Sequence, residues 1–244
     1  IDNDALLRIF VMGGGGGRRA ASGRLFHGGE WRDEHEWPLA RTEYTRYYLH
    51  SEGRANSIFG DGALTTDVPE VEGFDAYSYD PENPVPTLGG QSMFAENTGP
   101  RDRRPIERSD DVLVYSTAPL SRGLEVTGPV ELVVYATSSA PDTDFTATLV
   151  DVHPGGAAIH ICEGIVRARF RDSYVRPTLI EPGQVYAYRI SLWETSNLFR
   201  EGHRIRLELS SSNFPRFDRN LNTGEDSGLD DRPEAAQQTI WHDQ

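Results

Sequence analysis

Lysine is absent from this chain of 244 residues, and cysteine occurs once. All 24 basic residues are arginine, against 38 aspartates and glutamates, so the formal net charge is -14. Because a nucleic-acid-binding surface needs a basic footprint to neutralise phosphates, this balance predicts no nucleic-acid partner. The single Cys162 excludes an internal disulfide and favours a reducing, cytoplasmic location.

Long apolar runs and clear helical patterns are also missing. Hydrophobic residues make up 37% of the chain, and no run approaches the roughly 20 residues that span a bilayer. We therefore expect a soluble chain without a membrane partner. No stretch beyond a few turns has convincing helical periodicity.

Motifs for catalysis and for cofactors are absent as well. No serine stands in the Gly-x-Ser-x-Gly pattern of an α/β-hydrolase nucleophile, and Ser22 and Ser92 are the nearest candidates. The five glycines at 13–17 lack the Gly-Lys-Ser/Thr ending of a phosphate-binding loop, so they predict a flexible surface loop. The sequence therefore predicts no catalytic residue, no metal site and no cofactor.

Two weaker metal patterns stay open as alternatives. His153, His160 and Cys162 are close enough in sequence to suggest zinc, and Asp142 with Asp144 suggests calcium. His160 and Cys162 are two residues apart, which predicts that they share one face of a strand. Cys162 alternates with other small or apolar residues, so we interpret it as a core residue rather than a nucleophile.

Alternation of apolar and polar residues is the main structural signal. In the segment 204–210 the isoleucine and leucines fall on one face, and the arginines and the glutamate fall on the other. Similar patterns separated by Gly and Pro turns predict strands at 44–50, 75–79, 112–115, 130–137, 145–152, 158–170, 185–192 and 204–210. About eight strands with long connections indicate an all-β, jelly-roll β-sandwich. The acidic, polar tail at 224–244 predicts a loop.

Aromatic residues suggest an alternative function. Many jelly rolls are carbohydrate-binding modules, and a stacking platform would use exposed rings. Aromatic residues at alternating strand positions are, however, typical of a core. The rings considered for this platform are Tyr47, Tyr48, Tyr77, Tyr79, Trp193, Phe214 and Phe217.

The stretch SSSNFPRFDRNLNTG at 210–224 is too long and too specific for an ordinary turn. It resembles a hallmark of the C-terminal domain of cocaine-esterase-type and X-Pro-dipeptidyl-peptidase-type serine hydrolases. Further segments resemble the same family in the same order along the chain. They are RIFVMG at 8–13, WRDE at 31–34, WPL at 37–39, YDP at 79–81, NPVP at 83–86, DTDFTA at 142–147, LVDV at 149–152, EGIVR at 163–167, Asn197 and GHRI at 202–205.

The resemblance implies a galactose-binding-like jelly roll that follows an α/β-hydrolase domain in the same polypeptide. Residues 1–43 would be the end of the hydrolase domain with a linker, and residues 44–244 the jelly roll. All three catalytic residues would precede Ile1, so the chain alone should be inactive. The parent would act on esters or amides, with a small-molecule acyl substrate, and homo-oligomerisation stays open. The family usually closes with one more apolar strand, which is not evident before Gln244.

The resemblance also implies roles for individual residues. In relatives the loop after the Gly-Gly turn reaches the acyl pocket, and the matching residues here are Met93 and Phe94. A Met and a Phe in a glycine-flanked loop would form an adaptable apolar wall. Residues expected at the interdomain contact are aromatic or polar; they are Trp31, Trp37, Asp218, Arg219 and Asn220.

Overall fold

The computed structural model describes residues 7–19, 21, 26–70, 73–92, 97–226 and 228–242. These residues form twelve strands and one short 3₁₀ turn at Ala168–Phe170. In chain order the strands are β1 (Leu7–Gly13), β2 (Gly29–Glu34), β3 (Tyr48–His50), β4 (Ala63–Thr65), β5 (Phe74–Tyr79), β6 (Leu113–Ser116), β7 (Leu124–Ser138), β8 (Asp144–Val152), β9 (Ala158–Arg167), β10 (Tyr186–Phe199), β11 (Arg204–Ser210) and β12 (Ala236–Trp241). Within this described part, no helix could cross a membrane.

The strands form two six-stranded sheets that share one core. The first sheet has the order β2-β1-β10-β7-β12-β5, and the second has the order β3-β4-β6-β11-β8-β9. Pairing is antiparallel except between β1 and β10 and between β4 and β6. Side chains from both sheets meet in the main core, where the rings of Phe145 and Tyr188 lie 4.7 Å apart. The predicted all-β sandwich is confirmed.

Strand β11 shows both what alternation predicts and what it misses. Ile205, Leu207 and Leu209 lie in the main core, as predicted. The opposite face is also buried, because residues 101–112 cover it. Two ion pairs join the layers, Arg103 with Glu208, and Arg206 with Glu107 at 2.7 Å.

The C-terminal tail contains a strand, so the prediction of a loop over 224–244 is wrong in its last part. Strand β12 lies inside the first sheet, between β7 and β5. Its inward face carries Ala236, Gln238 and Ile240, all buried. The polar Gln238 hides the alternation, and its side-chain NH₂ donates to the Thr143 hydroxyl at 2.9 Å. The sequence pattern did not reveal this strand.

The first described segment is part of the sandwich. β1 pairs in parallel with β10, with Met12 opposite Asn197, and β2 pairs antiparallel with β1. These two strands therefore extend the first sheet at one edge. The domain boundary at residue 43 stays a prediction.

A buried carboxylate connects four distant parts of the chain. Asp75 on β5 accepts hydrogen bonds from the Tyr115 hydroxyl at 2.7 Å, the Ser51 hydroxyl at 2.8 Å and the Ala55 amide at 2.8 Å. His242 Nε2 lies 3.0 Å from the same carboxylate. Burial alone would raise the pKa of Asp75, but the hydrogen bonds from His242, Ala55 and the two hydroxyls outweigh it and hold the pKa below its ordinary value of 3.8.

We expect Asp75→Asn to lower the free energy of unfolding by about 3 to 5 kcal/mol at neutral pH, because it removes one partner from a buried charged cluster. The folded-state pKa is depressed, so this stabilisation is present above pH 3.8 and is lost as the pH falls through the folded-state value. Urea unfolding at several pH values should therefore show the gap between wild type and variant closing below about pH 4. The exposed Asp67→Asn is the control, and an equal loss in both variants would contradict the assignment.

The two sheets approach each other closely at a glycine of β9. A Cβ added to Gly164 would lie 1.9 Å from the carbonyl oxygen of Ser191 on β10. β10 has an irregular register just after Ser191, where Trp193 adopts a φ of 65°. Only a residue without a side chain lets the backbones pack at this distance.

Gly164→Ala should lower the free energy of unfolding by about 3 kcal/mol, at the upper end of overpacking costs, because backbone has to move. The matched control is Gly155→Ala, since nothing lies within 4 Å of a Cβ added there. Thermal unfolding of both variants checks the prediction. A Gly164→Ala variant as stable as the control would show that the sheets are farther apart.

Candidate functional site

The loop that carries Met93 and Phe94 has a closed base. Residues 93–96 themselves lie outside the described residues. On either side, Gly90 and Gly99 pair through two backbone hydrogen bonds of 3.0 and 2.9 Å. The Gly89 amide also donates to the Asn97 carbonyl at 2.8 Å. The intervening segment is therefore held at both ends.

The base of this loop lies directly on β9. Gly90 has a φ of 77°, and a Cβ there would lie 2.2 Å from Glu163 Oε1 and 2.9 Å from His160 Nε2. The glycine is required by both the backbone conformation and the close approach. Residues of β9 thus determine where the loop begins.

Glu163 is the centre of a buried polar cluster under the loop. The Asn213 amide donates to its carboxylate at 2.6 Å, Arg216 Nη1 lies 2.9 Å away, and His160 Nε2 lies 3.4 Å away. Burial alone would raise the pKa of Glu163, but His160, Arg216 and Asn213 outweigh it and lower the pKa. The carboxylate is therefore an anion that joins β9 to the turn after β11. Sequence reasoning missed this cluster, although Glu163 and Asn213 lie in segments that carry the family resemblance.

The first half of the 210–224 segment also positions the residues that lead into the glycine-flanked loop. Phe214 pairs with Pro86, accepts a hydrogen bond from the Thr87 amide at 2.7 Å, and donates to the Val85 carbonyl at 2.9 Å. The Arg216 amide donates to the Thr87 hydroxyl at 3.0 Å. Residues 85–90 therefore run alongside this turn before the loop starts.

The second half of the segment is held by two buried carboxylates. The Asn220 amide donates to Asp142 Oδ2 and to Asp144 Oδ1, both at 2.9 Å. Arg167 and Arg169 pair with the same two carboxylates, each at 2.8 Å. Because N–H donors occupy these oxygens, the geometry does not favour calcium at this pair.

The residues predicted at the interdomain contact lie in two places. Trp31 on β2 is 62% exposed, and its ring meets Phe10 of β1 edge-on at 5.2 Å. Trp37 lies in the segment after β2 and is also exposed. Asp218, Arg219 and Asn220 follow β11: the first two are exposed, whereas Asn220 is buried and its amide is used within the domain. The interdomain role stays a prediction.

The predicted zinc pattern does not form. A bulge in β9 puts His160 opposite Val150 and Cys162 opposite Leu149, so the extra residue Ile161 turns the two side chains to opposite faces. The prediction of a shared face is therefore wrong. Cys162 packs against the main core, and burial raises the pKa of its thiol to about 12. Its interpretation as a core residue is confirmed.

His153 belongs to a different polar cluster, which spacing could not reveal. It is buried beside Asp151 and His27, and its ring lies 4.3 Å from that of His203. Burial raises the pKa of Asp151 to about 6 and lowers the pKa of His153 and of His203. These residues come from three distant segments of the chain, so only the sheet order brings them together.

Two of the rings considered for a sugar-binding platform are not at the surface. Tyr77 and Tyr79 are buried in the main core. Their hydroxyls bond to the Ser211 hydroxyl at 2.9 Å and to the Asn220 carbonyl at 3.1 Å. Neither ring can stack on a ligand at the surface.

Comparisons with known proteins agree with the motifs. The family model for the X-Pro dipeptidyl-peptidase C-terminal non-catalytic domain matches residues 1–244. A cocaine esterase of Rhodococcus sp. (strain MB1 Bresler) is 53% identical over 204 residues, which cover 82% of this chain and 36% of the esterase.

Solved structures give the same result. An α-amino acid ester hydrolase superposes with a TM-score of 0.74 and 27% identity over 87% of this chain and 37% of its own. An aminopeptidase of a marine sediment Thaumarchaeota archaeon has a TM-score of 0.73 and 28% identity over 92% of this chain and 37% of its own. The chain thus spans little more than a third of each of these proteins, and it belongs to the family of X-Pro dipeptidyl-peptidase C-terminal non-catalytic domains.

Proposed function

We propose that this chain is the C-terminal domain of a longer serine hydrolase that acts on ester or amide bonds. It braces the catalytic domain and contributes Met93 and Phe94 to the acyl pocket. The parent would react through an acyl-enzyme, with the serine, its base and the oxyanion hole supplied by the hydrolase domain. The names of the relatives, an esterase, an ester hydrolase and an aminopeptidase, support this substrate range.

The braced base of the loop is the observation that carries the pocket proposal. An apolar wall gives specificity only if its backbone is fixed, since a loose loop loses the entropy of ordering at each binding event. Gly90 and Gly99 close the base of the loop, and Gly90 passes directly over Glu163 and His160 of β9. A Met and a Phe in this loop would suit an acyl chain of variable shape.

In the polypeptide that joins this chain to its hydrolase domain, Phe94→Ala should lower kcat/KM for p-nitrophenyl butyrate by about 10-fold or more. The loss for p-nitrophenyl acetate should be smaller, because a two-carbon acyl group reaches less of the wall. Met93→Ala should act in the same direction. Steady-state kinetics with both esters measure the ratio.

The matched control is Phe59→Ala, since Phe59 is a phenylalanine that is 75% exposed and lies outside the loop at 90–99 in the sequence. Its ester ratio should equal that of the wild type. The chain alone should hydrolyse neither ester and should not react with a fluorophosphonate. Equal losses for acetate and butyrate in Phe94→Ala would contradict a role in the acyl pocket.

The bracing role rests on an exposed aromatic pair at the sheet edge. Phe10 and Trp31 face each other across β1 and β2, and the Arg8 guanidinium lies 6.0 Å from the Trp31 ring. Exposed paired aromatic rings beside an arginine are typical of the centre of an interface. We infer that the hydrolase domain covers this pair.

Trp31→Ala should therefore destabilise the joined protein more than the chain alone, by about 2 kcal/mol, as expected for an interface tryptophan. Differential scanning calorimetry of both proteins measures the two losses. Trp193→Ala is the matched control, because Trp193 is 61% exposed on β10 and should have the same small effect in both. Equal effects of Trp31→Ala in the joined protein and in the chain alone would overturn the bracing role.

A further inference from the structure

Three buried side chains direct unpartnered atoms at one another near the first strands. They are His27 from the connection between β1 and β2, Asp151 near the end of β8, and His153 just after β8. One ligand atom of each lies within 4.8 Å of the other two. All three residues are more than nine-tenths buried.

The surrounding hydrogen bonds determine which side-chain atoms of these three residues remain without a partner. His27 Nε2 lies 2.9 Å from Asn197 Oδ1, and because an amide oxygen only accepts, this nitrogen donates and Nδ1 keeps its lone pair. His203 Nδ1 donates to Asp151 Oδ1 at 2.8 Å, which leaves Asp151 Oδ2. His27 Nδ1, Asp151 Oδ2 and His153 Nε2 have no hydrogen-bond partner. Histidine ligands that donate their second nitrogen to a fixed acceptor are the usual arrangement around a metal.

We propose that His27 Nδ1, Asp151 Oδ2 and His153 Nε2 bind one Zn²⁺ ion. Tetrahedral zinc with bonds of about 2.0 to 2.1 Å places its ligand atoms about 3.3 Å apart. His153 Nε2 and Asp151 Oδ2 are 3.8 Å apart, and all three atoms lie within 4.8 Å of one another, so the side chains would have to rotate inward to bind the ion. Two imidazoles with one carboxylate suit zinc, whereas calcium and magnesium prefer oxygen ligands.

A cleft lies beside His153. Glycines 15–17 and three arginines line this cleft together with His153 and His203; the arginines are Arg19, Arg104 and Arg200. A Cβ on Gly17 would lie 3.1 Å from His153 Nδ1, so the glycine segment passes directly over the imidazole. In the proposed site a water molecule would supply the fourth ligand. The ion joins the segment between β1 and β2 to β8, and thereby connects the edge of the first sheet to the second sheet.

The test uses the purified chain without a polyhistidine tag, stripped with a chelator and then titrated with Zn²⁺ in competition with a chromogenic chelator. We expect one Zn²⁺ per chain and a melting temperature that rises with Zn²⁺ concentration. Co²⁺ in place of zinc should give the strong visible bands of four-coordinate cobalt. A chain that is folded but binds neither ion tightly enough to compete would overturn the proposal, and would assign the cluster to a shared proton.

Substitutions test which residues bind the ion. His153→Gln and Asp151→Asn should each lower Zn²⁺ affinity by more than 100-fold, since they remove ligands rather than their supports. His203→Gln removes only the hydrogen bond that orients Asp151, and should lower affinity by about 10- to 100-fold while keeping the cobalt bands. The exposed His35→Gln is the matched control and should bind like the wild type. Unchanged binding in His153→Gln and Asp151→Asn would overturn the site; if those two fail to fold, His203→Gln and the wild-type cobalt spectrum decide.

Discussion

The bridge from Asn220 to two buried carboxylates is the interaction on which the long loop after β11 depends. Asp142 and Asp144 have almost no exposure to solvent, and isolated buried carboxylates would be strongly destabilising. Two arginines of the β9 end pair with them, and the Asn220 amide joins both. Because this bridge fixes one end of the 210–224 segment and β11 fixes the other, the turn between them can position Asn213 and Arg216 under the glycine loop.

Alternation in the sequence predicted the strands whose buried face is uniformly apolar, and β11 is the clearest of them. It could not predict that the polar face of β11 is buried too, because the covering residues Arg103 and Glu107 lie about a hundred positions earlier. It also missed β12, whose buried Gln238 breaks the pattern. Buried polar groups are stable when each has a partner, and in this chain the partners are distant in sequence. Local sequence patterns therefore identify buried apolar strand faces and miss buried polar ones.

Strand register is the second feature that could not be predicted from the sequence. One additional residue at Ile161 turns His160 away from Cys162 and toward Glu163, so the zinc pattern disappears and a support for the glycine loop forms. In the same way, the parallel pairing of β1 with β10 brings His27 within reach of Asn197 and β8. Two residues that are close in sequence are thus separated, and two that are 170 positions apart meet. The motifs identified the family because they recur as strings, whereas the sites depend on strand order.

The buried polar clusters differ in how their charges are balanced. The carboxylates of Asp75, Asp144 and Glu163 each face N–H or O–H donors, and arginines pair with Asp144 and Glu163. Asp151 has a donor on one oxygen only, and its other oxygen faces two imidazole nitrogens, one of which must be a lone pair. Like electrostatic ends repel in a low-dielectric interior, so a lone pair beside this oxygen is unfavourable unless a positive ion or a proton lies between them. A single proton can join only two of the three unpartnered atoms, whereas a Zn²⁺ ion would bind all three, and this difference is the reason for proposing the ion.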